Sequence, residues 1–151
     1  GAVFGFGDVH TRAHLYRSIL EGIVFALYLG SVQTVRKTGV PLARVRASGG
    51  GSASDVLMQI TADVFGIPAE RPHTQQTSVV GAAITTALGL GWYSTPESAV
   101  AAMTRQTRAF EPSAGNTRIY RELFARVYQQ PERRLAPLYE QIGKITGYPD
   151  L

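Results

Sequence analysis

Three consecutive glycines, Gly49, Gly50 and Gly51, stand between a short apolar stretch and a stretch with helical spacing. Each glycine costs more backbone entropy than alanine in a strand or helix. A run of three is therefore typical of a turn with positive φ, or of a place where a ligand approaches the main chain. A glycine turn before a helix also presents free N–H groups at the positive end of the helix dipole, which favours phosphate. These residues indicate a nucleotide or phosphate site.

The same run also fits a strand-to-helix turn that binds nothing, because glycine turns commonly separate such elements. No Lys-Ser or Lys-Thr pair follows the last glycine, as it would in a P-loop. The glycines also lack the G-x-G-x-x-G spacing of a dinucleotide site. From the glycines alone, both interpretations stay open.

Few other residues suggest chemistry. Glu21 is the one acidic residue in a strongly apolar stretch, and we expect it to cap or ion-pair with a neighbouring element, because a buried carboxylate needs a partner. His10 and His14 are four residues apart and could share a metal, but no third ligand is evident, so no metal site is predicted. The chain has no cysteine, which excludes disulfides and thiolate sites and fits a reducing cytoplasm.

The composition is that of a globular chain. Of its 151 residues 44% are hydrophobic, and this length suits one domain, which we place at residues 1–151. The net charge of +4 would suit nucleic acid, but the arginines are scattered, so we predict no nucleic-acid partner. The longest dense apolar run, residues 23–29, is too short to cross a bilayer, and no signal peptide is visible. Because the chain begins with Gly rather than Met, we expect a processed, tagged or excised fragment.

Apolar spacing predicts alternating helices and short strands, which is typical of an α/β fold. The first helix, residues 11–37, is expected to be buried on more than one side. Strands are predicted over residues 45–47 and, at a sheet edge, 67–70. Between them runs a helix that ends at Gly66, with Ser52 and Asp55 as its capping-box pair.

The C-terminal half is predicted to be helical. Helices are expected over residues 79–90, capped by Thr77 or Ser78, and over residues 96–105, capped by Thr95. The last helix opens at Asn116 or Thr117, is interrupted at Pro131 and continues to Ile142. The aromatic stripe Tyr120, Phe124 and Tyr128 is expected in the core. Residues 1–10 are interpreted as a loop that leads into the domain, and residues 147–151 as a frayed tail.

The stretch Ser48-Gly49-Gly50-Gly51-Ser52-Ala53-Ser54 is followed by Gln59, Ala62-Asp63 and Gly66-Ile67-Pro68. This series resembles the adenosine-binding segment of the FGGY carbohydrate kinases, which include the xylulose, ribulose and glycerol kinases. Two flanking blocks resemble further family motifs. These are His14 to Ile23, similar to a helix with Arg-Ala-x-Leu-Glu-Gly, and Val80-Gly81-Ala82-Ala83 with Gly89-Leu90-Gly91, similar to Leu-Gly-Ala-Ala…Gly. The three blocks follow the family's order.

The resemblance implies a ribonuclease-H-like α/β fold, as in actin and hexokinase, in which two domains enclose ATP and sugar. This chain would be most of the C-terminal, nucleotide-binding domain, lacking its first strands. The family's general-base Asp lies in the N-terminal domain, so no catalytic residue is assigned here. The Mg²⁺ ligands are likewise expected outside the chain.

The resemblance also implies roles for residues. Gly49, Gly50 and Gly51 would place main-chain groups against the adenosine and the α-phosphate, and Ser54 would lie near the adenine. Many members have Ala-Lys where this chain has Ser52-Ala53, which leaves the contacts of that lysine open. The small face Gly81-Ala82-Ala83 would pack closely against another helix or behind the nucleotide segment.

The function implied is transfer of the ATP γ-phosphate to a hydroxyl of a sugar or polyol, with a pentulose such as xylulose first, in the cytoplasm. ATP and Mg²⁺ are the implied cofactors. The sugar would bind mainly to the N-terminal domain, so this chain alone is expected to be inactive. A homodimer is one state that the sequence allows. The alternative is a non-catalytic interaction or regulatory module with the same fold, in which side chains could fill the glycine turn.

Overall fold

The computed structural model describes residues 2–147, with the side chains of residues 106, 107, 132 and 133 excepted. Its elements, in chain order, are α1 (Arg12–Thr38), β1 (Val45–Arg46), a 3₁₀ turn (Gly50–Ala53), α2 (Asp55–Phe65), β2 (Ala69–Pro72), α3 (Thr77–Gly89), α4 (Pro96–Met103), β3 (Gln106–Phe110), α5 (Ala114–Leu123), a π-helical turn (Phe124–Tyr128) and α6 (Pro131–Thr146). Residues 2–10 contain no helix or strand. The tail predicted from residue 147 falls, after Gly147, outside the described residues.

The sheet has three strands in the order β1-β2-β3. β1 is parallel to β2, with Val45 opposite Ala69, whereas β3 is antiparallel to β2, with Phe110 opposite Ala69. β2 is therefore the central strand, and its prediction as an edge strand is wrong. The error follows from β3, which was not predicted because residues 106–110 lack an apolar alternation.

The helix α2 lies in the middle of the domain and is buried on both sides. Met58 and Ala62 pack towards the sheet, against Ala69 and Phe110. The opposite face contributes Ile60 and Val64 to a larger cluster with residues of α1, α5 and the π-helical turn, namely Leu20, Val24, Phe25, Tyr120 and Phe124. α2 thus joins the sheet to the helical layer, and the predicted ending at Gly66 is confirmed, with φ +67°.

The bounds predicted for α1 are confirmed to within a residue, but its predicted burial on more than one side is wrong. Val24 is 1% exposed, whereas Tyr16, Ile19, Ile23 and Leu27 are between 50% and 64% exposed. The reason is that α1 has one main neighbour, α2, among the described residues. By length and by a mean hydropathy of 1.5, α1 is also the one described helix that could cross a membrane.

The helices α3 and α4 pack against each other. The predicted N-cap is confirmed for α4, where Thr95 Oγ1 accepts a hydrogen bond from Ser98 N at 3.2 Å. In α3, Gln76 is the N-cap and makes no side-chain cap, so the prediction of Thr77 or Ser78 is wrong. The small face Gly81-Ala82-Ala83 is exposed, and a Cβ at Gly81 would meet nothing within 4 Å. The predicted close packing of that face is therefore absent among the described residues.

The C-terminal helices agree with the sequence in their core residues more than in their bounds. Tyr120 and Phe124 are buried, and Tyr128 packs against the same cluster, as predicted. α5 begins at Ala114, two residues before the predicted start, because Ser113 takes the N-cap position. The interruption before Pro131 is confirmed, and α6 continues to Thr146, beyond the predicted end at Ile142.

Candidate functional site

The three glycines form the turn between β1 and α2, and each has a different environment. Gly49 has φ +85° and ψ −177°, a conformation open essentially to glycine alone. A Cβ on Gly51 would lie 3.1 Å from Leu57 Cδ2, which is tighter than an ordinary contact. Gly50 has no positive φ, and a Cβ there would meet nothing within 4 Å. Neither backbone conformation nor packing within the described chain therefore requires a glycine at residue 50.

The turn continues as a 3₁₀ turn, which controls where its polar groups point. Ser52 N and Ser52 Oγ both bond to the carbonyl of Gly49, at 3.1 and 2.7 Å. The amides of Gly50 and Gly51 open this 3₁₀ turn, where no carbonyl inside it precedes them as an acceptor. Two main-chain donors are thus available at the surface of the glycine turn.

The N-cap of α2 is Ser54, whose Oγ accepts a hydrogen bond from Leu57 N at 3.3 Å. The predicted capping box of Ser52 and Asp55 is wrong, because the 3₁₀ turn absorbs Ser52 and moves the start of the helix two residues on. A hydroxyl that accepts one hydrogen bond keeps its own O–H as a donor. Ser54 can therefore cap α2 and still donate to a ligand.

The start of α3 lies against the same turn. Thr77 Oγ1 donates to Ser48 Oγ at 3.3 Å, which links the residue before the glycines to the first turn of α3. The predicted binding residues thus lie after the end of β1, at the start of α2 and near the start of α3. They are Gly49, Gly50, Gly51 and Ser54.

An ion-pair cluster flanks the turn and was not predicted from the sequence. Asp55, the first residue of α2, accepts hydrogen bonds from Arg71 Nη2 at 2.5 Å and from Arg108 Nη1. Both guanidinium groups also lie over the ring of Phe110, at 5.2 and 4.5 Å from its centroid. The hydrogen bond from Arg71, with the charge of Arg108, lowers the pKa of Asp55 below its usual value. An anionic Asp55 paired in this way is not free to bind a metal.

A second unpredicted network centres on Asp63, which is 2% exposed. Its Oδ1 accepts from Ser113 N at 2.8 Å and from Gln59 Nε2 at 3.0 Å, while its Oδ2 accepts from Asn116 Nδ2 at 2.8 Å. These bonds satisfy the buried carboxylate and attach α2 to the first turn of α5. Ser113 and Asn116 lie 50 and 53 positions away in the sequence, so no local pattern points to them.

The other residues considered as candidates have structural roles. Glu21 Oε1 accepts from Arg17 Nε at 2.8 Å and from Tyr120 Oη at 2.7 Å. The ion pair predicted with a neighbouring element is wrong, because Arg17 lies on the same helix and the neighbouring α5 contributes a hydrogen bond from Tyr120. His10 and His14 bond through Nδ1 to the backbone at Gly7 and Thr11. Within residues 2–147, no group of three or more His, Asp or Glu side chains could hold a metal ion.

Two clefts lie away from the glycine turn. One, of about 450 Å³, is lined by Gly66, Pro112 and residues of α5, and another, of about 480 Å³, lies between Phe4 and the start of α6. Neither is lined by the glycine turn, where Gly50 and Gly51 are exposed. A ligand at this turn would need a second wall from elsewhere.

The sequence of the glycine turn and its neighbours can be compared with known proteins. Residues 1–90, which include the turn and α2, match the model of the FGGY family of carbohydrate kinases, C-terminal domain. The chain belongs to this family. As a member of the FGGY kinases it carries the turn, Ser54 and the start of α3 inside the matched region, whereas β3 and α5 lie beyond it.

Similar proteins of known name are carbohydrate kinases, but their names give different substrates. It is 33% identical to the xylulose kinase of Staphylococcus epidermidis over 97% of this chain and 28% of that one. It is 38% identical to the glycerol kinase of Dechloromonas aromatica over 89% of this chain and 26% of that one. The ligand-bound xylulose kinase of Lactobacillus acidophilus superposes with a TM-score of 0.81 at 23% identity, over 93% of this chain and 28% of that structure. The chain therefore spans about a quarter of these kinases.

Proposed function

We propose that this chain is the nucleotide-binding part of an ATP-dependent sugar or polyol kinase, and that Gly49, Gly50, Gly51 and Ser54 receive the nucleotide. The observation that carries the proposal is the environment of Gly50. Its φ is not positive and a Cβ there would meet nothing within 4 Å, so neither backbone conformation nor packing explains why this residue is a glycine. A ligand that approaches the main chain would explain the glycine. Membership of a kinase family makes ATP and ADP the expected ligands.

The chemistry of the turn suits an adenine nucleotide. The N–H groups of Gly50 and Gly51 would donate to a phosphate oxygen, and the hydroxyl of Ser54 would donate to the base. Mg²⁺ would bind to the nucleotide phosphates, and its protein ligands would come from outside the chain. The reason is that Asp55, a carboxylate beside the turn, is held by Arg71 and Arg108. When bound, the metal would neutralise charge on the transferred phosphate.

The test is an NMR titration of the ¹⁵N-labelled chain with Mg-ADP. Saturable shifts at the amides of Gly49, Gly50, Gly51 and Ser54 are expected in the wild type. Gly50→Ala adds one methyl group in the open position and should weaken binding by about tenfold, a loss of about 1.4 kcal/mol, with little change in the unfolding midpoint. A wild type that is folded and gives no saturable shift at this turn contradicts the proposal.

Two control variants separate binding from folding. Gly143→Ala adds the same methyl group on α6, where a Cβ would also meet nothing within 4 Å, and should leave the ADP titration unchanged. Gly49→Ala should instead disturb the free chain, because φ +85° strains any L side chain. Equal weakening by Gly50→Ala and Gly143→Ala would argue against a ligand at the turn.

For the whole kinase, we propose a pentulose substrate, xylulose first, which would bind mainly to a domain outside this chain. The support is that a xylulose kinase matches nearly the whole chain; a glycerol kinase matches at similar identity, so a polyol is the competing substrate. Phosphorylation of D-xylulose and glycerol by a full-length kinase that contains this chain would discriminate between them. We also propose that this kinase is cytoplasmic, since a chain without cysteine fits a reducing compartment.

We also propose that the domain has a ribonuclease-H-like fold whose first strands are supplied from outside this chain. The support is twofold: β1 is an edge strand of the described sheet, and the outer face of α1 is apolar and exposed. Strands added beside β1 would extend the sheet beyond that edge. The alternative, a non-catalytic interaction module, would fill the glycine turn with side chains, and the empty space at Gly50 disfavours it.

A further inference from the structure

Four residues form an ion-pair cluster beside the glycine turn, which we call the Asp55 cluster: Asp55, Arg71, Arg108 and Phe110. They come from three elements, since Asp55 opens α2, Arg71 lies on β2, and Arg108 and Phe110 lie on β3. Arg71 and Arg108 are opposite each other in the antiparallel pair β2–β3, so both reach the same carboxylate. β3 lies beyond residues 1–90, so the family match assigns nothing to Arg108.

The cluster constrains the direction of the Asp55 side chain. Phe110 is 5% exposed and packs in the core with Met58 and Ala69, so its ring is a rigid support. The two guanidinium groups lie over this ring, while their N–H groups hold the two oxygens of Asp55 separately. A carboxylate held through both oxygens keeps one orientation better than one held through a single bond.

Asp55 transmits this constraint to the turn. It follows the N-cap Ser54 directly, and the Ser54 hydroxyl is the group that caps the amide of Leu57. A change in the direction of the first turn of α2 would move the Ser54 hydroxyl, and it would also move Leu57, which leaves too little room for a Cβ at Gly51. The Asp55 cluster therefore ties the proposed nucleotide-binding residues to the sheet.

We propose that Arg108 and Asp55 are positioning residues, which hold the glycine turn and the first turn of α2 in the geometry that receives the nucleotide. This proposal rests on the proposed function above. Neither residue needs to touch the nucleotide, since Arg108 acts through Asp55. The side chains of Asp55 and Arg108 are 51% and 56% exposed, and exposed ion pairs contribute little to global stability, so their loss should act locally.

The first experiment compares Arg108→Gln with a matched control, Arg44→Gln, in the 151-residue chain. Arg44 is also 56% exposed and bonds to a carboxylate, Glu70, that is shared with a second arginine, Arg46, and neither Arg44 nor Glu70 belongs to α2. Both changes remove one positive charge. Arg108→Gln should raise the Kd for Mg-ADP about 3- to 10-fold, and Arg44→Gln by less than about twofold. Equal effects of the two variants would overturn the proposal.

A double-mutant cycle then tests whether Arg108 acts through Asp55. If it does, the variant Asp55→Asn/Arg108→Gln should bind Mg-ADP about as weakly as the weaker of the single variants, because both changes break the same link. If Arg108 instead contacts the phosphates directly, the two effects should multiply. Multiplying effects would therefore overturn a positioning role.

Hydrogen exchange of the free chain separates this proposal from the proposed function. The amide of Leu57, bonded to Ser54 Oγ, should exchange faster in Arg108→Gln than in Arg44→Gln, while the unfolding midpoints of the two variants stay alike. Equal exchange at Leu57 would overturn the link to the turn, whatever the nucleotide result. A wild type that does not bind Mg-ADP but exchanges as expected would overturn the proposed function and leave a cluster that only orders the turn.

Discussion

At the scale of single residues, Tyr120 is the titratable group that its surroundings change most clearly. Its hydroxyl donates to Glu21 at 2.7 Å and accepts from Arg17 at 3.0 Å. Burial, together with the hydrogen bond to Glu21, raises the pKa of Tyr120 to about 12 from an ordinary value of 10.0. The folded state therefore favours the protonated phenol. This stabilisation is complete below pH 10 and is lost as the pH rises through about 12.

This leads to a prediction for alkaline pH. The free energy of unfolding should fall by about 1 kcal/mol between pH 8 and pH 11 on account of Tyr120, because the unfolded phenol ionises first. Tyr120→Phe removes the ionising group, so that part of the fall should vanish. Urea denaturation at the two pH values measures it. Tyr16→Phe, at an exposed tyrosine of α1, should retain the fall, and an unchanged fall in Tyr120→Phe would refute the linkage.

At the scale of elements, α1 has two apolar faces, of which one is buried and the other is exposed. The inner face packs Leu20, Val24 and Phe25 against α2 and the aromatic residues of α5 and the π-helical turn. The outer face carries Tyr16, Ile19, Ile23 and Leu27 to the surface. An exposed apolar stripe of this length is unusual for a helix of a soluble domain and is typical of a surface that another element covers.

The neighbouring residues Ile23 and Val24 give a matched test of these faces. Val24→Ala should lower the free energy of unfolding by about 2–3 kcal/mol, because it removes buried methyl groups and leaves a cavity. Ile23→Lys should change it by less than about 0.5 kcal/mol and reduce self-association. Urea denaturation and light scattering measure the two effects. A loss of about 2 kcal/mol or more with Ile23→Lys would mean that the outer face is packed, because that is roughly the cost of a change in the core.

At the scale of the whole molecule, the chain is much shorter than the kinases that it matches. It spans 28% of the xylulose kinase of Staphylococcus epidermidis, and Gly50 and Gly51 of its glycine turn are exposed. A two-domain kinase would close such a surface with its second domain and exclude water from the reaction. The inactivity of this chain alone and the homodimer that the sequence allows both stay predictions.

The corresponding prediction concerns turnover. The 151-residue chain alone should bind Mg-ADP weakly and should show no ATP hydrolysis or transfer that depends on D-xylulose or glycerol. The physical reason is that one wall of a site cannot position donor and acceptor for in-line transfer. A coupled assay for ADP release, with and without sugar, measures it. Sugar-dependent release of ADP by the purified chain would contradict this prediction.

Local signals predicted those parts of the fold that depend on neighbouring residues. The bounds of α1, the cap at Thr95, the ending of α2 at Gly66 and the interruption before Pro131 follow from spacing, capping and backbone chemistry within a few positions. The capping box at Ser52 was wrong because a 3₁₀ turn competes with the first turn of a helix, and both satisfy the same local pattern. Sequence reasoning was thus most reliable where one local structure had no close competitor.

By itself, the sequence determined the helical and strand segments near the glycines, the glycine turn itself and, through its motifs, the family. Those properties depend on residue type and short spacing, which a chain carries before it folds. Only the tertiary structure decided that β2 is central, that Asp63 joins α2 to α5, and that Arg108 reaches Asp55 from 53 positions away. Such contacts depend on which distant segments pair, and that is decided by the packing of the whole domain.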